Sequence, residues 1–182
     1  MPRISLITQK ADLPADRYAE FDAIVDVLHG VRGPFAILMR SPGLAQKVME
    51  AGAHVRLKST LEPVERELAI IAVSREKDAA YEWAAHVRTG REAGLREEAI
   101  DAVRNRADVS QLAPDERDII NFVRQLLRTN RVKQPLFDAL LSRHGERWLV
   151  ELAATVGQYQ YISSINNTFD LQPAAGADQL PV

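Results

Sequence analysis

The sequence contains no cysteine. This absence excludes disulfide bonds, thiolate-bound metals and every thiol-based redox reaction. An excess of one charge is also missing, because 23 Lys and Arg residues face 25 Asp and Glu residues. Nucleic acid and anionic membranes select strongly basic surfaces, so we expect neither as a partner.

Long apolar runs are missing as well. The longest run, from Leu68 to Val73, is far shorter than the roughly 20 residues that a membrane-spanning helix needs. Residues 1–6 lack the apolar core of a signal peptide. We therefore expect a cytoplasmic protein, and its 182 residues suffice for one domain with a substantial core.

Apolar residues recur at helical spacing along almost the whole chain. Residues 16–29 place Phe21, Ile24 and Leu28 on one face, and residues 135–144 and 145–166 form the last two predicted helices. Alternating β-branched residues, which would indicate strands, are nearly absent. We predict an all-α fold, a bundle of about seven to nine helices.

The predicted organisation is a single helical domain, residues 1–170, followed by a flexible tail, residues 171–182, which is rich in Pro, Ala and Gly. A weak internal repeat also occurs, because the triplet Glu-Leu-Ala of residues 67–69 returns at residues 151–153. Each copy opens a long predicted helix. The repeat hints at a duplicated helical hairpin whose second copy lacks the acid and the histidine of the first.

The most distinctive segment is Tyr-Glu-Trp-Ala-Ala-His, at residues 81–86. Glu82 and His86 are four residues apart and therefore share one face of a helix. A short turn at residues 74–78 makes the preceding helix an antiparallel neighbour, which brings Glu67 to the level of His86. Two carboxylates beside one imidazole can act as an acid/base group with pKa values tuned toward neutrality.

Two other interpretations of these three residues stay open. In the first, Glu82 and His86 form an ordinary stabilising pair and Glu67 pairs with Arg66 or Arg88, within a helical binding or assembly module. In the second, the three groups bind a divalent metal ion. We rank the metal below acid/base use, because only three ligands are offered.

Aromatic and amide side chains are further candidates for the site. Tyr81 is suited to donate a hydrogen bond to a substrate oxyanion. Trp83, Tyr159 and Asn166 are candidates for substrate binding, although core packing is the simpler interpretation of Trp83. The last predicted helix, with Tyr159 and Tyr161, also suits a subunit interface.

Three segments together resemble the core of the carboxymuconolactone decarboxylase family, namely residues 66–70, 81–86 and 91–95. The resemblance covers about residues 60–100. It implies the all-helical fold that this family shares with alkylhydroperoxidase D, and assembly into a homo-oligomer, either a trimer or a hexamer. It also implies a cofactor-free lyase that decarboxylates a small unsaturated carboxylated lactone in aromatic catabolism.

The peroxidase branch of the superfamily keeps a Glu, a Cys-x-x-Cys motif and a His. Glu67 and His86 match the first and the last of these, but the two cysteine positions fall on Ala79 and Glu82. We therefore predict that thiol-dependent peroxidase activity is absent. A peroxidase-type member that lacks the redox cysteines stays as the alternative.

The decarboxylase pattern implies a role for each residue of the site. His86 is predicted to be the general acid, and Glu82 to orient it or hold its charge. Glu67 is predicted to be a second acid/base group, and Tyr81 to hydrogen-bond the developing oxyanion. The only partner needed is a small-molecule substrate, without metal or cofactor.

Overall fold

The computed structural model describes residues 2–181. Over these residues the chain has two 3₁₀ turns, Lys10–Asp12 and Ala15–Arg17, and no strand. Eight α-helices follow in this order: α1 (Tyr18–Leu28), α2 (Pro34–Leu38), α3 (Pro42–Leu57), α4 (Pro63–Glu76), α5 (Ala80–Glu92), α6 (Glu97–Arg104), α7 (Pro114–Thr129) and α8 (Gln134–Thr168). The predicted all-α class and the predicted number of helices are confirmed.

Local sequence signals explain where the helices begin and end. Proline lies in the first turn of α2, α3, α4, α7 and α8, where its missing N–H is no loss because that group has no partner inside the helix. His29 after α1 and Asn130 after α7 adopt left-handed conformations, with φ of 55° and 57°. Such residues end a helix cleanly.

Helix α8 contains a break at Gly145, where φ is 84° and ψ is 172°. Only glycine adopts this conformation without strain. The break divides α8 where the sequence predicts the boundary between its last two helices. None of the helices within residues 2–181 is long and apolar enough to cross a membrane.

Helix α4 lies at the centre of the main core. It packs against α5, α6, α7 and α8, and nine consecutive residues, 67–75, are buried. Most of them are aliphatic, which explains the apolar run in the sequence. Glu67 opens this buried stretch, and a carboxylate in such a place requires hydrogen-bonding or charged partners.

The N-terminal helices form a second, smaller core. Apolar residues of α1, α2 and α3, among them Ile24, Leu38 and Met49, pack together with Ile162 of α8. The segment from Ile7 to Leu57 is therefore held against the C-terminal half of α8. This packing places α1–α3 beside α5 and α8, and it forms one wall of the cavity described below.

The C-terminal segment runs back over α5 and α6. Asp178 accepts hydrogen bonds from the indole N–H of Trp83 at 2.9 Å and from the guanidinium groups of Arg91 and Arg104 at 3.1 Å each. Leu171 is buried. The segment thus makes specific contacts, while its predicted flexibility stays a prediction.

Candidate active site

The three acid/base candidates of the sequence come together in the structure. Glu67 lies on α4, and Glu82 and His86 lie one turn apart on α5. Nδ1 of His86 is 2.7 Å from Oε2 of Glu67, and Nε2 of His86 is 3.3 Å from Oε2 of Glu82. Both ring nitrogens of one imidazole therefore face a carboxylate.

Further polar partners hold the two carboxylates. Glu67 and Glu82 are only 3% and 4% exposed. The amide of Asn166 donates to Oε1 of Glu82 at 2.8 Å, and Nε of Arg66 donates to Oε1 of Glu67 at 3.4 Å. The network is thus nearly neutral and well bonded, as buried charges require.

The surroundings of His86 favour its protonated form. Burial by itself disfavours the imidazolium ion, but the hydrogen bonds and charges of Glu67 and Glu82 outweigh it and raise the pKa of His86 from 6.5 to about 9. At neutral pH the site therefore holds an imidazolium ion between two carboxylates. This ion has its counter-ions in direct contact.

Two tyrosines lie beside this group. The ring of Tyr159 meets the imidazole of His86 edge-on, with centroids 4.9 Å apart and an interplanar angle of 86°. Burial raises the pKa of Tyr159, and burial together with the charge of Glu82 raises the pKa of Tyr81. Both phenols therefore stay protonated at neutral pH and can donate hydrogen bonds.

Tyr81 is positioned by a close approach to the loop before α2. Gly33 has φ of 58°, and a Cβ atom there would lie 2.6 Å from the hydroxyl of Tyr81. Only glycine satisfies both the backbone conformation and the contact. Gly33 thus seats the Tyr81 ring against the N-terminal wall.

A cavity of about 450 Å³ opens at this network. Glu82, His86, Tyr81 and Tyr159 line it, whereas Glu67 is not among its lining residues and lies on the far side of the imidazole. The volume suits a small organic molecule. Four of the predicted site residues therefore share one cavity.

The rest of the cavity wall consists of residues that the sequence analysis did not single out. The loop after α1 and the helices α2 and α3 supply His29, Arg32, Phe35, Arg56 and Leu57, and α8 supplies Gln158 and Ile162. Each is an isolated residue without a motif around it. No local signal in the sequence could have found them.

Two predicted substrate-binding residues lie elsewhere. Trp83 is fully buried in the main core, with its indole bonded to Asp178. It follows Glu82 directly, and a rotation of about 100° per residue turns it away from the cavity. Asn166 donates a hydrogen bond to Glu82 and does not itself line the cavity. Within residues 2–181, no group of three or more His, Asp or Glu residues is arranged to hold a metal ion.

Comparisons with known proteins agree with this architecture. Residues 42–125 match the model of the Carboxymuconolactone decarboxylase family. No curated protein matches the sequence. Among solved structures, an uncharacterized peroxidase-related protein from Ralstonia eutropha JMP134 with an alkylhydroperoxidase AhpD core has a TM-score of 0.76 at 21% identity, covering 96% of this chain and 93% of its own.

Two more solved structures show the same fold. An uncharacterized peroxidase-related protein from Silicibacter sp. TM1040 has a TM-score of 0.75 at 18% identity, covering 95% of this chain and 93% of its own. A cysteine-to-alanine variant of the debrominase Bmp8, in complex with 2,3,4-tribromopyrrole, has a TM-score of 0.66 at 17% identity, covering 96% and 95%. The predicted alkylhydroperoxidase D-like fold is confirmed. Residues 42–125 of this cysteine-free chain are similar to the carboxymuconolactone decarboxylase family.

Proposed function

We propose that this protein is an enzyme that moves protons on a small unsaturated lactone or acid, by decarboxylation or isomerisation and without a cofactor. One observation carries the proposal: the buried imidazole of His86, with a carboxylate at each ring nitrogen, forms part of the wall of a cavity of substrate size. Perturbed titratable groups in a cavity are typical of active sites. The family match supports enzyme activity in general terms.

The reaction needs two things that the cavity offers. When a carboxylated unsaturated lactone loses CO₂, the carbon–carbon bond breaks and its electron pair moves onto the conjugated carbonyl as a dienolate. The enzyme must stabilise that oxyanion and then protonate a carbon atom. Tyr81 and Tyr159 are hydrogen-bond donors for the oxyanion, and His86 supplies the proton, which solvent later replaces.

The geometry supports a division of roles that differs from the one predicted from the sequence. Nδ1 of His86 is engaged by Glu67 at 2.7 Å, on the side away from the cavity. Nε2 makes the longer contact, 3.3 Å, to Glu82, which does line the cavity. We assign to Glu67 the role of orienting His86 and balancing its charge. Glu82, which lines the cavity, is assigned the role of the base that removes a substrate proton in isomerisation, and His86 remains the proton donor.

A simple unsaturated lactone tests the proposal. The double bond of α-angelica lactone shifts through the same kind of dienolate, so the enzyme should accelerate its isomerisation and its uptake of deuterium from D₂O near neutral pH, measured by proton NMR. A panel of carboxylated butenolides, followed by CO₂ release, tests decarboxylation directly. If neither reaction exceeds the buffer rate, the site is the structural network of a binding module and the proposal fails.

Thiol-dependent peroxidase activity is expected to be absent, because the chain has no cysteine to form the sulfenic acid or disulfide of that reaction. Reduction of an alkyl hydroperoxide by dithiothreitol should proceed at the same rate with and without the protein. The solved relatives described as peroxidase-related make this control necessary. A rate well above background would favour the redox alternative instead.

A further inference from the structure

Two arginines line the cavity and have no acidic partner within residues 2–181. Arg32 lies in the loop between α1 and α2, and Arg56 lies in the last turn of α3. Within residues 2–181, their side chains donate only to backbone carbonyls, of Leu28 and Gly52 respectively, at 3.4 Å each. Most other arginines of the chain pair with Asp or Glu at less than 3.5 Å.

The two guanidinium groups influence the tyrosines of the same cavity electrostatically. The charge of Arg32 opposes the rise in the pKa of Tyr81, and the charge of Arg56 opposes the rise in the pKa of Tyr159. Each arginine is therefore within electrostatic reach of one phenol of the site. Together they give the N-terminal wall a positive potential.

A guanidinium group has a planar set of donors that matches a carboxylate, often through two parallel hydrogen bonds. Among the described residues that line the cavity, Glu82 is the only one with a carboxylate, and His86 and Asn166 already contact it. The two arginines thus keep free donors for a ligand. Because the donors are positively charged and planar, they favour an organic ligand that carries a carboxylate.

We propose that Arg32 and Arg56 form the anion-binding end of the cavity and hold a carboxylate that the substrate keeps throughout the reaction. The inference rests on the proposed function, because the same cavity must receive the substrate. A carboxylate paired with guanidinium is stabilised in the ground state, which opposes its loss as CO₂. The held carboxylate is therefore not the leaving one.

This assignment narrows the substrate class. For isomerisation the substrate is an unsaturated acid with one carboxylate, held by the arginines while His86 faces the reacting carbon. For decarboxylation it is a dicarboxylate, with one group retained and the other lost. A neutral lactone lacks the held group and is expected to bind weakly.

Binding of furan-2-carboxylate tests the assignment by calorimetry, with furan-2-carboxamide as its neutral counterpart. The wild-type protein should prefer the carboxylate. The dissociation constant should rise about tenfold in Arg32→Gln and in Arg56→Gln, and further in the double variant, as expected for a charged hydrogen bond. Arg131→Gln is the matched control, because the exposed side chain of Arg131 lies outside the cavity and, within residues 2–181, donates only to the Asn130 carbonyl.

Three results would overturn the proposal: unchanged binding in the double variant, equal binding of acid and amide, or tighter binding of inorganic phosphate than of furan-2-carboxylate. The measurement needs no turnover, so it is separable from the proposed reaction. If the arginine variants lose binding but the wild-type protein neither exchanges the lactone nor decarboxylates any carboxylated butenolide, the reaction is rejected and the anion site is supported. If the wild-type protein exchanges the lactone but the arginine variants bind furan-2-carboxylate as well as the wild type does, the reaction is supported and the anion site is rejected.

Discussion

His86→Gln is expected to lower the rate of lactone exchange by a factor of about 10² to 10⁴, the usual contribution of a general acid or base. Glutamine keeps a hydrogen-bonding side chain of similar length but cannot carry the proton. Deuterium uptake by the lactone, followed by NMR, measures the effect. His54→Gln is the control, because His54 is exposed and lies outside the cavity.

The same variant leaves two buried carboxylates without their cation, and breaking a buried ion pair in this way costs about 3–5 kcal/mol. A double variant, Glu67→Gln with His86→Gln, removes one of the two charges and should recover much of this stability without recovering activity. Circular dichroism and urea unfolding separate the two effects. Full exchange activity in a folded His86→Gln protein would exclude His86 as the proton donor.

The pKa of His86 gives a second, independent test of the role assigned to Glu67. Glu67→Gln should move the pKa of His86 from about 9 back toward 6.5, because the hydrogen bond to Glu67 is the largest of the causes that raise it. NMR titration of the four histidines follows this directly. A pKa near 9 in the variant would show that Glu67 does not hold the charge of His86.

The same raised pKa makes stability depend on pH. The folded state binds the proton more tightly than the unfolded chain, so the stabilisation is complete below about 6.5 and is lost as the pH rises through about 9. The free energy of unfolding should fall over this window in the wild type. It should fall less in Glu67→Gln.

Trp83→Ala is expected to lower the free energy of unfolding by about 3–5 kcal/mol, the range for truncating a buried aromatic residue. Trp83 is 0% exposed in the main core, and its loss also removes the indole donor to Asp178. Urea unfolding measures the change. Tyr161→Ala, at an exposed aromatic position, should cost less than about 0.5 kcal/mol.

A gentler substitution decides between the two interpretations of Trp83. Trp83→Phe keeps most of the apolar volume but leaves Asp178 without the indole N–H, so it should lower stability by about 1–3 kcal/mol. Lactone exchange per folded molecule should stay at the wild-type rate. A large loss of exchange in a stable Trp83→Phe protein would support the predicted contact with substrate.

Helical periodicity determined the parts of the site that are close in sequence. Glu82 and His86 had to share one face because four residues make slightly more than one turn. The short connection after α4 had to make that helix an antiparallel neighbour, which brought Glu67 within 2.7 Å of the imidazole. These are consequences of local geometry, and they needed no knowledge of the rest of the chain.

The orientation of each group within the site was beyond the sequence. Spacing does not specify which ring nitrogen of His86 faces which carboxylate, so the predicted roles of Glu67 and Glu82 are exchanged in our proposal. Spacing also does not show which face of α5 is covered by the core. Trp83 lies on the face of α5 that packs into the main core, and Glu82 lies on the face that lines the cavity.

The sequence by itself determined the all-α class, the breaks between helices and the Glu67, Glu82 and His86 group, because each depends on contacts within a turn or between consecutive helices. Only the tertiary structure decided the cavity. Its second wall forms where α1–α3 pack on α8 through apolar contacts that are far apart in the chain. Such packing leaves no local pattern around Arg32 or Arg56, so neither arginine could be recognised before the helices were in place.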